Sequence, residues 1–115
     1  MTTVDPRINI SVTFRHTDST DALKSYATEK VDHLLQKFIT HDADVNVVLD
    51  VEKKDQTAEI IVRSKGYDFE AKATTIDLYS AIDKAVDNLN TQLRRKKDKV
   101  VSSKHQSPSI SSVLE

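Results

Sequence analysis

The stretch from residue 76 to 99, IDLYSAIDKAVDNLNTQLRRKKDK, constrains this chain more than any other. Its apolar residues Leu78, Ile82, Ala85, Val86, Leu89 and Leu93 recur every three or four positions, the spacing of an amphipathic helix, with Tyr79 at the edge of the stripe. At about 100° per residue, Lys84, Asn88, Thr91 and Arg95 share the opposite line. The last turns are basic: Arg94, Arg95, Lys96, Lys97 and Lys99, diluted by Asp98. One side of this helix must close a core, and the other offers positive charge to whatever it meets.

A second hydrophobic core does not fit into 115 residues, so one domain is expected. With 37% hydrophobic and 30% charged residues, the chain suits a small α/β domain. No apolar run approaches the roughly 20 residues of a membrane span, and the N-terminus lacks the apolar core of a signal peptide. The absence of cysteine excludes disulfides, thiolate catalysis and cysteine–zinc sites, and the simplest location is the cytoplasm. Net charge is −1, so attraction to nucleic acid requires segregated charge.

Taken in order, residues 1–6 read as a flexible leader. From Arg7 to Phe14, Ile8, Ile10, Val12 and Phe14 alternate with polar residues, predicting a half-buried strand. Thr20, or Ser19 before it, is placed to cap a helix from Asp21 to Phe38. Its inward residues are Leu23, Tyr26, Ala27, Val31, Leu34 and Phe38, while Tyr26, Lys30, His33 and Lys37 follow one flank. Three strands follow, through Val45–Val51, Ala58–Val62 and Phe69–Ala73. The first two are joined by a polar KKDQ turn, the last two by Lys65–Gly66, where the only glycine suits a positive φ. Asp77 or Thr75 caps the long helix. Residues 100–115, rich in serine, read as a disordered tail.

The order β-α-β-β-β-α predicts an α+β two-layer sandwich: a four-stranded mixed sheet with two helices on one face. Strand parity puts Asp44, Asp50, Glu52, Glu59, Asp68 and Glu70 on the uncovered face, partly offset by Arg63 and Lys72. The helical side gathers Lys30, Lys37, Lys84 and the 94–99 cluster. Phe14 and Phe69 point inward, so the open sheet has no aromatic platform for base stacking, and RNA would be held through phosphate and shape. Basic residues at a helix C-terminus also favour the helix dipole, by about 0.3–1 kcal/mol each when exposed, whatever their function.

Catalytic signals are weak. His16, His33, His41 and His105 show no metal-ligand spacing, and Asp83 with Asp87 fits solvated neighbours of Lys84 better than a cation site. No phosphate-cradling glycine loop or nucleophile motif is present, so an enzyme, a cofactor and a metal are not expected.

The run Asp77-Leu78-Tyr79, Ala81-Ile82-Asp83, Val86-Asp87, Leu89, Gln92-Leu93 and Lys97-Asp98-Lys99 resembles the second helix of the ribosome hibernation-promoting factors, also called ribosome-associated inhibitor A or protein Y. The likeness extends to Thr20, Ala22-Leu23, Lys30 and Phe38, and to Val47, Leu49, Val51, Glu52 and Lys53, covering residues 7–99 as one ribosome-binding domain. It implies a fold similar to double-stranded-RNA-binding domains and a non-enzymatic inhibitor of translation. Such a protein occupies the tRNA and mRNA channel of the small ribosomal subunit and stabilises idle ribosomes in stationary phase or stress. By the same resemblance, rRNA phosphates would be met by Lys24 and Lys30 on the first helix and by Lys84, Arg94, Arg95, Lys96, Lys97 and Lys99 on the second. Asn88, Thr91 and His33 stand where relatives often carry basic residues. The domain that pairs ribosomes in long relatives is not expected in the 16 residues after Lys99. Pairing would then fall to a separate ribosome-dimerising factor, and the free protein would be a monomer. Two rivals use the same residues: a general double-stranded-RNA-binding module, and a protein-interaction module that uses the acidic sheet with Val48 and Ile61 exposed.

Overall fold

The computed structural model describes residues 7–39, 41–65 and 67–105, without the side chains of Tyr67 and residues 97–105. The expected leader, the hairpin glycine Gly66 and residues 106–115 of the expected tail lie outside the described residues.

The elements are β1 (Ile8–Arg15), α1 (Asp21–Phe38), β2 (Ala43–Glu52), β3 (Asp55–Ser64), β4 (Tyr67–Thr75) and α2 (Leu78–His105). The sheet order is β1-β2-β3-β4, with β1 and β2 parallel and the later pairs antiparallel. This is the mixed α+β sandwich that the periodicities predict.

Each helix starts where a side chain can satisfy its free N–H groups. Thr20 Oγ1 accepts from Leu23 N at 3.2 Å, and Asp77 Oδ1 accepts from Ser80 N at 2.8 Å. The second Asp77 oxygen takes the Ser80 hydroxyl at 2.8 Å. These donors favour the ionised form and hold the Asp77 carboxyl below its usual range. α1 closes with Ile39 N donating to Leu35 O at 2.8 Å.

Leu35, Leu49, Ile60, Ile82 and Leu89 are among the largest fully buried side chains, drawn from both helices and the two central strands. Truncating one to alanine costs about 2–5 kcal/mol by lost transfer energy and the cavity left behind. Both helices therefore cover one sheet face, α1 against β1 and α2 against β3 and β4. Phe14 and Phe69 are partly buried against this core, as their parity requires.

Two boundaries and the burial of one residue differ from expectation. β3 begins at Asp55, so the β2–β3 turn is only Lys53–Lys54, with Lys53 in the left-handed region at φ 58°. The register pairs Glu52 with Asp55, and the hydrogen-bonded ladder outweighs the poor strand propensity of the polar residues. α2 runs to His105, six residues past Lys99, so residues 100–105 are helical rather than part of a disordered tail. No glycine or proline interrupts the chain between Leu78 and His105, and a helix already nucleated against the core propagates into such a segment. Val48, expected on the open face as an exposed apolar residue, is only 6% exposed. Its register neighbours Thr13 and Glu59 lie on either side of it in the middle of the sheet.

The open face is knitted by cross-strand polar pairs. Asn9 Nδ2 donates to Asp44 Oδ1 at 3.2 Å, Thr13 Oγ1 to Asn46 Oδ1 at 3.1 Å, and Thr57 and Thr74 hydroxyls meet at 2.9 Å. β4 is an edge strand, but α2 guards it. Asn88 Nδ2 donates to Lys72 O at 3.1 Å, and Gln92 Nε2 donates to Glu70 O at 2.7 Å. Four residues of helix rise about 6 Å and two residues of strand about 6.6 Å, so the two amides match alternate edge carbonyls.

Candidate nucleic-acid interface

Contacts between the helices advance together along both chains, so α1 and α2 run parallel. Tyr26 meets Tyr79 and Asp83, Lys30 meets Asp83, and Leu34 and Lys37 share a groove with Val86 and Asn90. Their C-terminal ends therefore lie at the same end of the domain.

The N-terminal part of this layer is a clamp. Tyr26 Oη donates to Asp83 Oδ1 at 2.6 Å, and Lys30 Nζ lies 3.4 Å from the same oxygen and 5.5 Å from the Tyr26 ring centre. The Tyr26 and Tyr79 rings meet edge to face with centroids 4.9 Å apart. Asp83 raises the pKa of both partners: its accepting oxygen favours the protonated Tyr26 hydroxyl and the charged Lys30 ammonium. Lys30 and Asp83 are each 46% exposed, so their ion pair contributes at most about 1 kcal/mol.

Charge changes along the helices. Around the clamp, Asp21, Glu29, Asp32, Asp83 and Asp87 outnumber Lys24, Lys30 and Lys84. At the C-terminal end, Lys37, Arg94, Arg95 and Lys96 are exposed, and residues 33–38 and 88–96 contain no acid. The cations gathered on the helical side are therefore concentrated at one tip. Asp98 follows further along α2; the other acids at that end, Asp42, Asp44 and Asp68, belong to the sheet layer and its connections, and Asp44 and Asp68 flank Arg63 in register.

The residues expected to meet rRNA are only partly brought together. Arg94, Arg95 and Lys96 share the tip. Lys97 and Lys99 continue α2, with side chains outside the described residues. Lys30 is engaged with Asp83. Lys24 is exposed but sits about 120° around α1 from Lys30, away from α2. Lys84 shares its flank with Asn88, beside the β4 edge rather than over the groove. Lys37, counted in the sequence among the helical-side cations but not among the rRNA-contacting residues, joins the tip because the helices are parallel, a relation that spacing within one helix does not reveal.

Tyr26, Lys30, His33 and Lys37, the flank seen in the sequence, line an open groove of about 490 Å³ against Val86 and Asn90 of α2, with Leu34 in its floor and Glu29 on its rim. On the opposite layer, donor atoms of His16, Asp50 and Glu52 lie within 4.8 Å of one another. His16 Nδ1 and Asp50 Oδ1 are 2.8 Å apart, and this bond raises the His16 pKa above 6.5. No spacing signal marks this trio in the sequence, because the β1–β2 register brings together residues 34 apart.

A mixed sheet backed on one face by two parallel helices, with cations gathered where both helices end, defines an α+β two-layer domain with a cationic helical end. The chain belongs to the family described as sigma 54 modulation protein / S30EA ribosomal protein, whose sequence profile matches residues 10–101. This is a family of binding proteins and not of enzymes. Among its relatives, the ribosome hibernation promoting factor of Azotobacter vinelandii is 33% identical over 94 residues, covering 82% of this chain and 87% of that protein. The protein of the same name from Escherichia coli K12 is 34% identical over 93 residues, covering 81% and 97%. The crystal structure of the Thermus thermophilus Protein Y N-terminal domain superposes with a TM-score of 0.69 at 34% identity, covering 76% of this chain and 98% of that one.

Proposed function

We propose that this protein is a cytoplasmic, ribosome-binding hibernation factor that occupies the tRNA and mRNA channel of the small subunit and keeps idle ribosomes from initiating in stationary phase or stress. The observation that carries the reading is the cluster of exposed cations Lys37, Arg94 and Arg95 where two parallel helices end, on stretches 33–38 and 88–96 that contain no acid. Relatives that span nearly their whole length with this chain are named for ribosome hibernation, which supports the same reading. The tip attracts rRNA phosphate, the acidic open sheet turns away from it, and the clamped helix pair supplies a fixed shape. Inhibition is steric: the protein fills space that tRNA and mRNA need. Lys97 and Lys99 extend the cationic run, whereas Lys24, Lys30 and Lys84 take secondary places.

Co-sedimentation of the purified protein with small subunits across a salt series tests this. Wild type should pellet, with log K falling linearly in log salt. Arg94→Glu with Arg95→Glu should abolish pelleting near 150 mM salt, roughly a hundredfold loss, while thermal unfolding stays unchanged. Equal pelleting of the double variant would refute the tip as the docking surface. Equally tight binding to arbitrary RNA duplexes would instead support the general double-stranded-RNA-binding module.

A further inference from the structure

The groove between α1 and α2 is unexplained by phosphate contacts alone. It measures about 490 Å³, within the roughly 300–1,000 Å³ of small-ligand sites. Its floor is apolar, from Leu34 and Val86, with the Tyr26 ring beside them. Its rim carries hydrogen-bonding groups of both senses, from Asn90 and His33. Because the helices are parallel, the groove opens directly onto the cationic tip, with Lys37 belonging to both. The Tyr26–Asp83 bond ties the helices together at the far end and fixes the groove's width there.

We propose that this groove accepts one unstacked nucleotide of the RNA docked on the tip. The base lies on Leu34 and Val86, its edge meets Asn90 and His33, and its phosphate lies toward Lys37. Lys30, already paired with Asp83, remains a wall of the site. An apolar floor with an amide at its rim suits a base, which has a stacking face and a hydrogen-bonding edge; a bare phosphate would gain nothing from that floor. The inference rests on the ribosome-binding reading and assigns to it a base contact that carries no net charge.

That last property supplies the test. Asn90→Trp fills the groove from its rim without changing charge or the buried core, and Asn90→Ala leaves the groove open but removes the amide. In small-subunit pelleting across a salt series, Asn90→Trp should weaken binding about tenfold at every salt concentration with an unchanged slope, and Asn90→Ala a few-fold. Lys37→Ala should instead lower the slope by about one. Wild-type pelleting together with Asn90→Trp binding within twofold of it overturns the groove while leaving the ribosome reading intact. No pelleting by wild type removes the reading itself, and the RNA-linked site with it. In parallel, adenosine and uridine 5′-monophosphate are titrated into isotopically labelled protein and followed by amide shifts. Shifts at Asn90 and Lys37 that vanish in Asn90→Trp, with pelleting weakened as above, support the site. The same shifts with unchanged pelleting assign the groove to a free nucleotide and overturn the RNA-linked form.

Discussion

The two ends of the helical layer do different work with similar residues. At the N-terminal end, Lys30 is turned inward onto Asp83, Tyr26 donates to the same carboxylate, and Tyr79 packs against Tyr26. At the C-terminal end, Lys37, Arg94 and Arg95 have no carboxylate on their own helix stretches. One end uses charge to hold the helices together; the other presents it. A lysine's place on a helix therefore says less about RNA than whether an acid stands within reach across the interface.

This contrast is sharpest if charges at the two ends are removed separately. Replacing Arg94 by alanine should weaken ribosome pelleting about tenfold and lower the salt slope by about one, whereas Lys24→Ala should change binding less than twofold. Equal effects would erase the distinction between the ends. Asp83→Ala should do the reverse. It leaves the Tyr26 hydroxyl and Lys30 without their shared partner and should lower stability in urea by about 1 kcal/mol, with pelleting at low salt nearly unchanged. A large loss of binding there would mean that the clamp also sets the shape of the interface.

A smaller effect is expected at the β4 edge. Replacing Asn88 and Gln92 by alanine removes two bonds to edge carbonyls, each contributing about 0.5–1 kcal/mol in this exposed setting. The variant should unfold earlier in urea and associate more readily at high concentration, because an unguarded edge is a template for pairing. Light scattering after mild heating checks the second point.

The smallest effect belongs to His16. Its pKa is raised by Asp50, so its stabilising contribution is complete below the unfolded value of 6.5 and is lost as pH rises through the higher folded value. The melting temperature of His16→Asn should therefore fall below that of wild type at pH 6 and match it at pH 9. A gap that widens with pH would contradict the ion pair.

Most of the fold was legible because alternation and helical spacing are local and strong: β1 and α1 follow directly from Ile8–Phe14 and from Thr20 with its following stripe. The site was less legible, since it depends on relations between elements. Asn88 looked like a missing cation on an exposed line, yet it is a ligand for a strand edge that no single-helix projection contains. The parallel packing of the helices brings Lys37 beside the end of α2 and leaves Lys24 on the far side of α1, relations that one helix's spacing does not contain. Val48 looked exposed because parity counts directions and not the breadth of neighbouring side chains. The trio of His16, Asp50 and Glu52 needed the β1–β2 register before its members became neighbours.

The unequal lengths of the helices have a further consequence. α1 spans 18 residues and α2 spans 28, and they are level near Lys37 and Asn90. Beyond Leu93, whose side chain is still buried in the core, α2 continues for roughly 12 residues, or about 18 Å, past the end of α1. A slab of sheet and helices must stop at the mouth of a crevice, but a lone helix only about 10–12 Å wide can go on into it. The thickness of the domain would then act as a depth stop, and the length of the overhanging rod would decide how far inside the first contact is made.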